Sequence, residues 1–501
     1  MFVRRKLNKS GVVSVQVITK INGKSKLIKT IGSSSDQQEI ENLVKEGHQY
    51  ISRFRGQKAL DFSDESRLYK SVLKNISSHT EVGTQLLLSK IFDDIGFNTI
   101  EDSLFRQLVL SRLIYPVSKL KTSDFLDRYH EMDYPVHQIY RYMDKFHSQR
   151  KELVQQISYK HTKRILGGKV SIVFYDVTTL YFEIDNEDDL RKTGFSKEGK
   201  HQNPQIVLGL LVSQNGYPLA YDIYEGNKFE GHTMLPVLDS FKKKYDLEQL
   251  VIIADSGLLS NANIEDLQSG DYEFILGARI KNEKWDIQRE ILSLDLHNGE
   301  SAIVKRDDLK LVISYSDNRA KKDYENRRKG LRKLEKRIRT GKLTKTNINN
   351  RGYNKYLKLE GDIDITIDHQ KFEADRAWDG LKGYLTNAKL SKDEIIENYG
   401  HLWQIEKAFR ISKTDLKIRP IYHRLQHRIE THICISFVAY KIYKELERQL
   451  KEKQTSLSPE KAIEIARSIY QVKAKTEDEE VTQILLITEE QRKLAQLFNF
   501  G

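Results

Sequence analysis

Three carboxylates stand where an acid could hold a divalent cation against a phosphodiester: Asp176, Asp255 and Glu406. Glu406 lies in NYGHLWQIEKAFRISKTDLKIRP. At about 100° per residue, a helix here would project Tyr399, Leu402, Glu406, Arg410 and Lys413 into one narrow sector. That stripe carries a carboxylate flanked by cations, while Trp403, Ile405, Phe409 and Ile411 occupy other positions. Taken alone, the pattern more often means a surface helix with an ion pair such as Glu406 to Arg410. The two aspartates change that balance. KVSIVFY (169–175) reads as a buried strand that runs into Asp176, and LVIIA (250–254) reads as another that ends in Asp255 before Ser256-Gly257 turns the chain. Period-2 alternation sets Asp176 on the face of Ile172 and Phe174, where an apolar residue is expected. The carboxyl edge of an open α/β sheet is where ligands sit. A single Asp there is usually a cap or turn residue. Three acids together form a set that two Mg²⁺ ions could share, since Mg²⁺ takes a few carboxylates and completes its shell with water and phosphate oxygens.

The elements that must position these acids follow from the text around them. After Asp176 come QIVLGLLVS and PLAYDIY, joined through Asn215-Gly216, then a helical stretch TMLPVLDSFKKKY, the strand before Asp255, and a fifth strand in EFILGARI. Three antiparallel strands followed by alternating helix and strand is the order of a ribonuclease-H-like sheet. Asp176 and Asp255 are 79 residues apart and Asp255 and Glu406 are 151 apart, so the spacing predicts an insertion before the last helix. That insertion, 281–385, opens with strand-like SAIVKRDD and LKLVISYS and continues into RAKKDYENRRKGLRKLEKRIRTGK. The basic run is either a helix that DNA would attract by counterion release or a solvated charged arm. The segment closes in WDGLKGYL, where Asp379-Gly380 suggests a turn between strands.

Outside this core, 1–35 reads as a small basic β element, with strands flanking Ile21-Asn22-Gly23 as a hairpin. Residues 36–165 read as helical, with Ser123-Asp124 as a possible cap and Pro116 and Pro135 as interruptions. Such short helices could include a helix-turn-helix that reads DNA ends. The core parts are 166–280 and 386–440, the latter with a turn and a long amphipathic helix after Lys413. Residues 441–501 read as a charged helical region. The fold class is therefore α/β: a ribonuclease-H-like core, a β-rich insertion between the last core strand and the Glu406 helix, an N-terminal hairpin and helices, and a helical C-terminus.

The chain resembles a known family, the DDE transposases of bacterial insertion sequences. Its superfamily signature, Tyr-x2-Arg-x3-Glu-x6-Lys, appears as Tyr399-x2-Leu402-x3-Glu406-x6-Lys413 and matches at three of four places. The words YDVTTLYFE, GFSKEGKHQNPQIVLGLLV, YEGNKFEGHTMLPVL, LVIIADSGLLS, DRAWDGLKGYLTN and RPIYHRLQHRIETHICISF extend the resemblance over roughly 165–440. In detail it is similar to the insertion-sequence-four superfamily, in the branch typified by element 1634. The resemblance implies an enzyme in which Asp176, Asp255 and Glu406 hold two Mg²⁺ ions, with Mn²⁺ able to substitute. It also implies that Tyr399 and Lys413 contact DNA phosphate. Trp378, 28 residues before Glu406, corresponds to a residue that stacks on a flipped base, although a core role is commoner for tryptophan. The signature Arg is replaced by Leu402, which has no charge or donor. Arg410 or His401 is the nearest substitute.

The expected activity is cut-and-paste transposition. The protein would bind terminal inverted repeats, hydrolyse at the element ends, pass through a hairpin at the flanking end, and join the 3′-hydroxyl to target DNA within a homodimeric synaptic complex. Two rivals are a catalytically silent DNA-binding relative, favoured by Leu402, and another ribonuclease-H-like nuclease. With 83 Lys and Arg against 71 Asp and Glu the formal charge is +12, which suits double-stranded DNA. The single cysteine, Cys434, excludes an internal disulfide and a cysteine-based zinc site. No apolar run approaches the roughly 20 residues of a membrane span, and MFVRRKLNKSG lacks a following apolar h-region. The expectation is a cytoplasmic, nucleoid-associated protein with no membrane partner.

Overall fold

The computed structural model describes residues 1–500 except 22, 55–74, 146–147, 185, 196–198, 200–201, 248–249, 344–346, 350–351, 361–363 and 476–479. Asn22 of the expected hairpin and part of GFSKEGKHQNPQ lie outside the described residues. The chain divides into two compact units, 1–79 with 472–483, and 80–471 with 484–501.

In the first unit, β1 (Phe2–Leu7), β2 (Val13–Ile21) and β3 (Lys24–Ser34) form an antiparallel sheet in that order, and the helix Gln37–Phe54 follows. β2 buries Val15, Val17 and Ile18, with irregularities in its pairing to β3 on either side of Gln16 and Val17. A strand that the helical reading of 36–165 did not anticipate, β4 (Ile76–Glu81), marks the transition to the second unit.

The second unit is built on one mixed sheet of eight strands. In chain order these are β5 (Ile172–Tyr181), β6 (Gln205–Ser213), β7 (Pro218–Glu225), β8 (Val251–Ala254), β9 (Glu273–Ala278), β10 (Ser301–Arg306), β11 (Leu309–Tyr315) and β14 (Leu381–Thr386). A separate pair, β12 (Leu357–Glu360) and β13 (Asp364–Ile367), lies outside it. The order is β10-β11-β14-β9-β8-β5-β6-β7. Only β5–β8 and β8–β9 are parallel. The antiparallel β5-β6-β7 meander and the parallel strands beyond it have the order read from the sequence. The insertion differs. Its strands β10, β11 and β14 continue the central sheet past β9, because their apolar alternation (Val312, Tyr384 on one side; Leu311, Ile313, Leu385 on the other) matches both faces of that sheet.

Each face carries its own core. Phe174, Leu208, Leu210, Val251, Ile253 and Ile275 point to one layer, shared with the helices of 83–165, the Glu406 segment and the helix Gln426–Glu452. Val173, Tyr175, Ile252, Ala254 and Phe274 point to the other, against the helices Met234–Tyr245, Asn261–Ser269 and Trp285–Ser293.

Four expectations are corrected here. Gln426–Glu452 is not amphipathic: from Thr431 to Leu446 every residue is buried, since helices pack around it on several sides. The C-terminal region contains β15 (Tyr470–Lys475) and β16 (Glu480–Leu485) between the helices Pro459–Ala466 and Glu489–Phe498. Ser123-Asp124 lies inside the helix Lys119–His130, whose N-cap is Ser118. Asp379-Gly380 joins a 3-10 turn, rather than a strand, to β14. The basic run becomes the helix Asp317–Arg339, and it is not a free arm: Leu334 enters a small cluster with Tyr356, Leu357, Ile367 and Phe372, and buried Arg327 pairs with Asp379.

Candidate active site

Asp176 and Asp255 come together through strand register. Ile172, Val173 and Phe174 pair in parallel with Val251, Ile252 and Ile253. Continuing two residues sets Asp176 beside Asp255, on the face of Phe174 and Ile253. β5 itself runs on to Tyr181, paired with β6, so Asp176 is mid-strand and only Asp255 stands at a strand end. Both are half-buried. Asp176 Oδ1 accepts from its neighbour's Val177 N–H at 2.8 Å, and Asp255 Oδ1 accepts from Gly257 N–H at 2.7 Å, the latter an Asx-type turn that bends the chain off the sheet.

The helix that covers this face brings Glu406. The sequence stripe requires one continuous helix, but the chain forms two, Lys392–Gly400 and Trp403–Thr414, joined by a tight turn in which Leu402 N–H donates to the Tyr399 carbonyl at 3.0 Å. Ile405, Ala408 and Phe409 anchor the second helix in the core, leaving Glu406 and Arg410 exposed and Lys413 half-buried. Tyr399 (7% exposed) and Leu402 (8%) are core residues. The Leu402 side chain thus belongs to the packing, so an arginine there would put its charge into an apolar layer.

The buried Tyr399 still reaches the sheet edge, because Gly277 on β9 leaves room. A Cβ at 277 would lie 2.4 Å from the Tyr399 hydroxyl and 3.1 Å from the Ser256 nitrogen. Burial, then the negative charge of Asp255, and further that of Glu406, raise the Tyr399 pKa, so the phenol stays protonated as a donor. Tyr384 packs edge-on to it at 4.9 Å.

The sequence reading missed Lys382 on β14. Its Nζ sits 4.4 Å from the Tyr399 ring centroid. Burial and then Arg319 lower its pKa, while Glu406 opposes them. Lys382 and Arg319 also line a cavity of about 530 Å³ with Trp378 and Lys281, whose Nζ lies 5.9 Å from the indole. Trp378 is half-buried, packed on the second core yet facing this cationic cavity. The signal for Lys382 was the alternation of LKGYLT, which puts Lys382 and Tyr384 on the face of the acids. A lysine on an apolar strand face is as anomalous as Asp176.

The donor chemistry of Asp176, Asp255 and Glu406 fits a hard divalent cation. Among the described residues, however, no three His, Cys, Asp or Glu side chains converge closely enough to hold a metal ion together. The set is therefore suited to Mg²⁺ by donor type but not preassembled as a protein cage.

Comparison with known proteins adds the family. No curated protein matches the chain. Among solved structures it is similar to the piggyBac transposase synaptic complex with hairpin DNA, at 10% identity and a TM-score of 0.39, over 77% of this chain and 78% of that one. It is also similar to the Mos1 transposase paired-end complex with left transposon end (11% identity, TM-score 0.16, 34% of this chain, 58% of that). A Mos1 mariner paired end complex with Mn gives 11% identity and a TM-score of 0.15, over 32% and 54%. Residues 139–442, which contain all three acids, Tyr399 and Lys382, match the family profile described as Transposase DDE domain, and the chain belongs to that family.

Proposed function

We propose that this DDE transposase cuts DNA at the ends of its own mobile element and joins the freed 3′-hydroxyl to a target, with Asp176, Asp255 and Glu406 as the catalytic acids. The observation that carries this reading is the shared face: two aspartates in register on neighbouring parallel strands, and a helix over the same face that presents a glutamate. Bound at those acids, a pair of Mg²⁺ or Mn²⁺ ions would supply activation of the attacking water or 3′-hydroxyl and charge stabilisation at the leaving oxygen.

The chain's own residues do the rest. Asp176 and Asp255 bring negative charge to the sheet edge, and Glu406 closes the set from the helix. The Tyr399 hydroxyl donates toward a phosphate oxygen, and Lys382 supplies the cation that Leu402 cannot. Arg410 and Lys413 extend that positive surface along the helix, and Trp378 offers a ring to an unstacked base. Assignment to the insertion-sequence-four superfamily, recognition of terminal inverted repeats, the hairpin route and a homodimeric synaptic complex rest on the sequence words quoted above.

The test is cleavage of a labelled duplex carrying one element end, in Mg²⁺, by the parent and by Asp176→Ala. Cutting at the repeat boundary by the parent alone is expected. Binding without cutting by either protein would establish the silent DNA-binding reading, which the buried Leu402 and the unconverged acids favour.

A further inference from the structure

A second concentration of charge lies away from the three acids, where the helices Ser103–Ile114 and Lys119–His130 meet the segment after the Glu406 helix. A cavity of about 410 Å³ there is lined by Arg112, Lys119, His423 and His432, with Lys417 and Arg419 at its mouth. Arg112 is 5% exposed and Lys119 3%. Neither forms an ion pair among the described residues, and the Arg112 Nε has no hydrogen-bond partner. The Arg112 Nη2 lies 3.5 Å from His432 Nδ1. That histidine donates from Nε2 to the Ile418 carbonyl at 2.9 Å, which fixes Nδ1 as the acceptor and leaves the ring neutral. The Arg112 contact therefore neutralises nothing. Arg428 nearby is satisfied separately, by a two-pronged contact to Asp144 at 2.5 and 2.7 Å.

Two buried cations side by side with no acid are costly, and folded proteins tolerate such charges only when paired. Burial alone lowers the Arg112 pKa to about 10, and burial and then Arg112 push Lys119 well down. No carboxylate opposes either shift. The arrangement is complete only with an anion from outside.

We infer that this cavity binds a phosphate group of a DNA strand, held by Arg112 and Lys119. Three observations favour a strand over free phosphate. The cavity, at about 410 Å³, is larger than one oxyanion needs. Lys121, Lys417 and Arg419 continue the positive charge out of it, and Tyr422, 72% exposed, stands at its rim where a base or sugar could pack. Arg419 also lies 5.8 Å from the ring of Tyr181, at the end of the strand that carries Asp176, so one strand of DNA would connect the two places. The DNA part of the inference rests on the function proposed above, whereas anion binding does not.

The test uses the full chain in two arms. In the first, the thermal midpoint is followed against inorganic phosphate, with chloride at equal ionic strength as the control. The parent should be stabilised by phosphate and Lys119→Met should not. Lys119→Met should fold with an unchanged or higher midpoint in phosphate-free buffer, since it removes a buried unpaired charge, and Lys119→Arg should restore the response. In the second, duplex affinity is measured against salt. Lys119→Met should weaken binding several-fold and reduce the slope of log K against log salt by about one phosphate contact. No phosphate response in the parent overturns the site. A phosphate response with unchanged DNA binding overturns the DNA assignment and leaves a free-phosphate site. Neither result bears on metal-dependent cleavage, which is read separately.

Discussion

The two ends of the helix Gln426–Glu452 treat buried charge in opposite ways. Toward its C-terminus, Glu445 is enclosed with its partners: it accepts from the Tyr217 hydroxyl at 2.9 Å, from Arg448 Nε at 2.9 Å and Nη2 at 2.6 Å, and from Gln449 at 2.9 Å, with His161 Nε2 at 3.7 Å. Lys441, fully buried, donates to the Ser158 carbonyl at 3.1 Å and to Thr162 Oγ1 at 2.5 Å over the ring of Tyr217. Toward its N-terminus, His432 and His423 face Arg112 and Lys119 with no acid. The first region brings its carboxylate and its cations together, while the His161 Nδ1 has no hydrogen-bond partner among the described residues. The second is open, and what it lacks is a negative charge. Charge that serves the fold comes with its partner in the chain; charge that serves a ligand waits for one.

The sharpest way to break this contrast is to remove the acid of the first region. Glu445→Leu should cost about 3 kcal/mol, because it takes the opposing negative charge from fully buried Lys441 and the acceptor from the buried Tyr217 hydroxyl, while half-buried Arg448 keeps Glu452, and chemical denaturation would show it. A small effect would mean that the network does not stabilise the fold. Next, Leu402→Arg restores the residue of the family signature, but into a buried, apolar position. A loss of about 3 kcal/mol and no gain in cleavage are expected, in contrast to Lys119, which has a cavity to face. Faster cleavage would show that the side chain can leave the core.

Lys382 lies between these extremes, half-buried with Glu406 in its field. Lys382→Met should lower the cleavage rate about tenfold, near 1.4 kcal/mol, while leaving the thermal midpoint almost unchanged. Equal rates would remove it from the site.

The smallest expected effect is on pH dependence, and each region has a reporter. Burial, then Lys441, hold the His161 pKa down to about 3 against the pull of Glu445, with Arg164 and Arg448 also facing it. Burial, then Lys119 and Arg112, with Arg428 beyond them, hold His423 at about 4. Free histidine titrates near pH ~6.5. Both folded values are depressed, so each group's contribution to stability is complete above about pH 6.5. It is lost as the pH falls toward the folded value. Phosphate bound beside His423 would raise its pKa and shrink its share of the loss, while His161 would not respond. The thermal midpoint between neutral and mildly acidic pH, with and without phosphate, measures this.

Much of the core was legible in the sequence because strands with alternating or fully apolar text have few alternative placements. β6, β7, β8 and β9 lie where QIVLGLLVS, PLAYDIY, LVIIA and EFILGARI put them, whereas β5 overlaps KVSIVFY but runs on past Asp176 to Tyr181. Asp176 and Asp255 stood out as acids on apolar faces, an anomaly visible in one dimension. Helical spacing was less reliable. It merged Tyr399 and Glu406 into one helix, because periodicity does not report which stretch of a stripe is covered. It also took Gln426–Glu452 as two-sided, since its Lys441, Lys444 and Glu445 read as surface residues until their buried partners are known.

By itself, then, the sequence determined the core strands β6 to β9 and the family, and it picked out Asp176, Asp255 and Glu406 as candidates, through patterns local to each segment and words ordered along the chain, but it did not show β4, β15 or β16. Tertiary structure alone decided what depends on distant segments meeting. It continued the sheet with β10, β11 and β14, it set Lys382 over Tyr399 across the sheet face, and it buried Arg112 beside Lys119 without an acid. Whether a charge is paired depends on which residues from elsewhere share its low-dielectric surroundings, and no spacing along the chain encodes that.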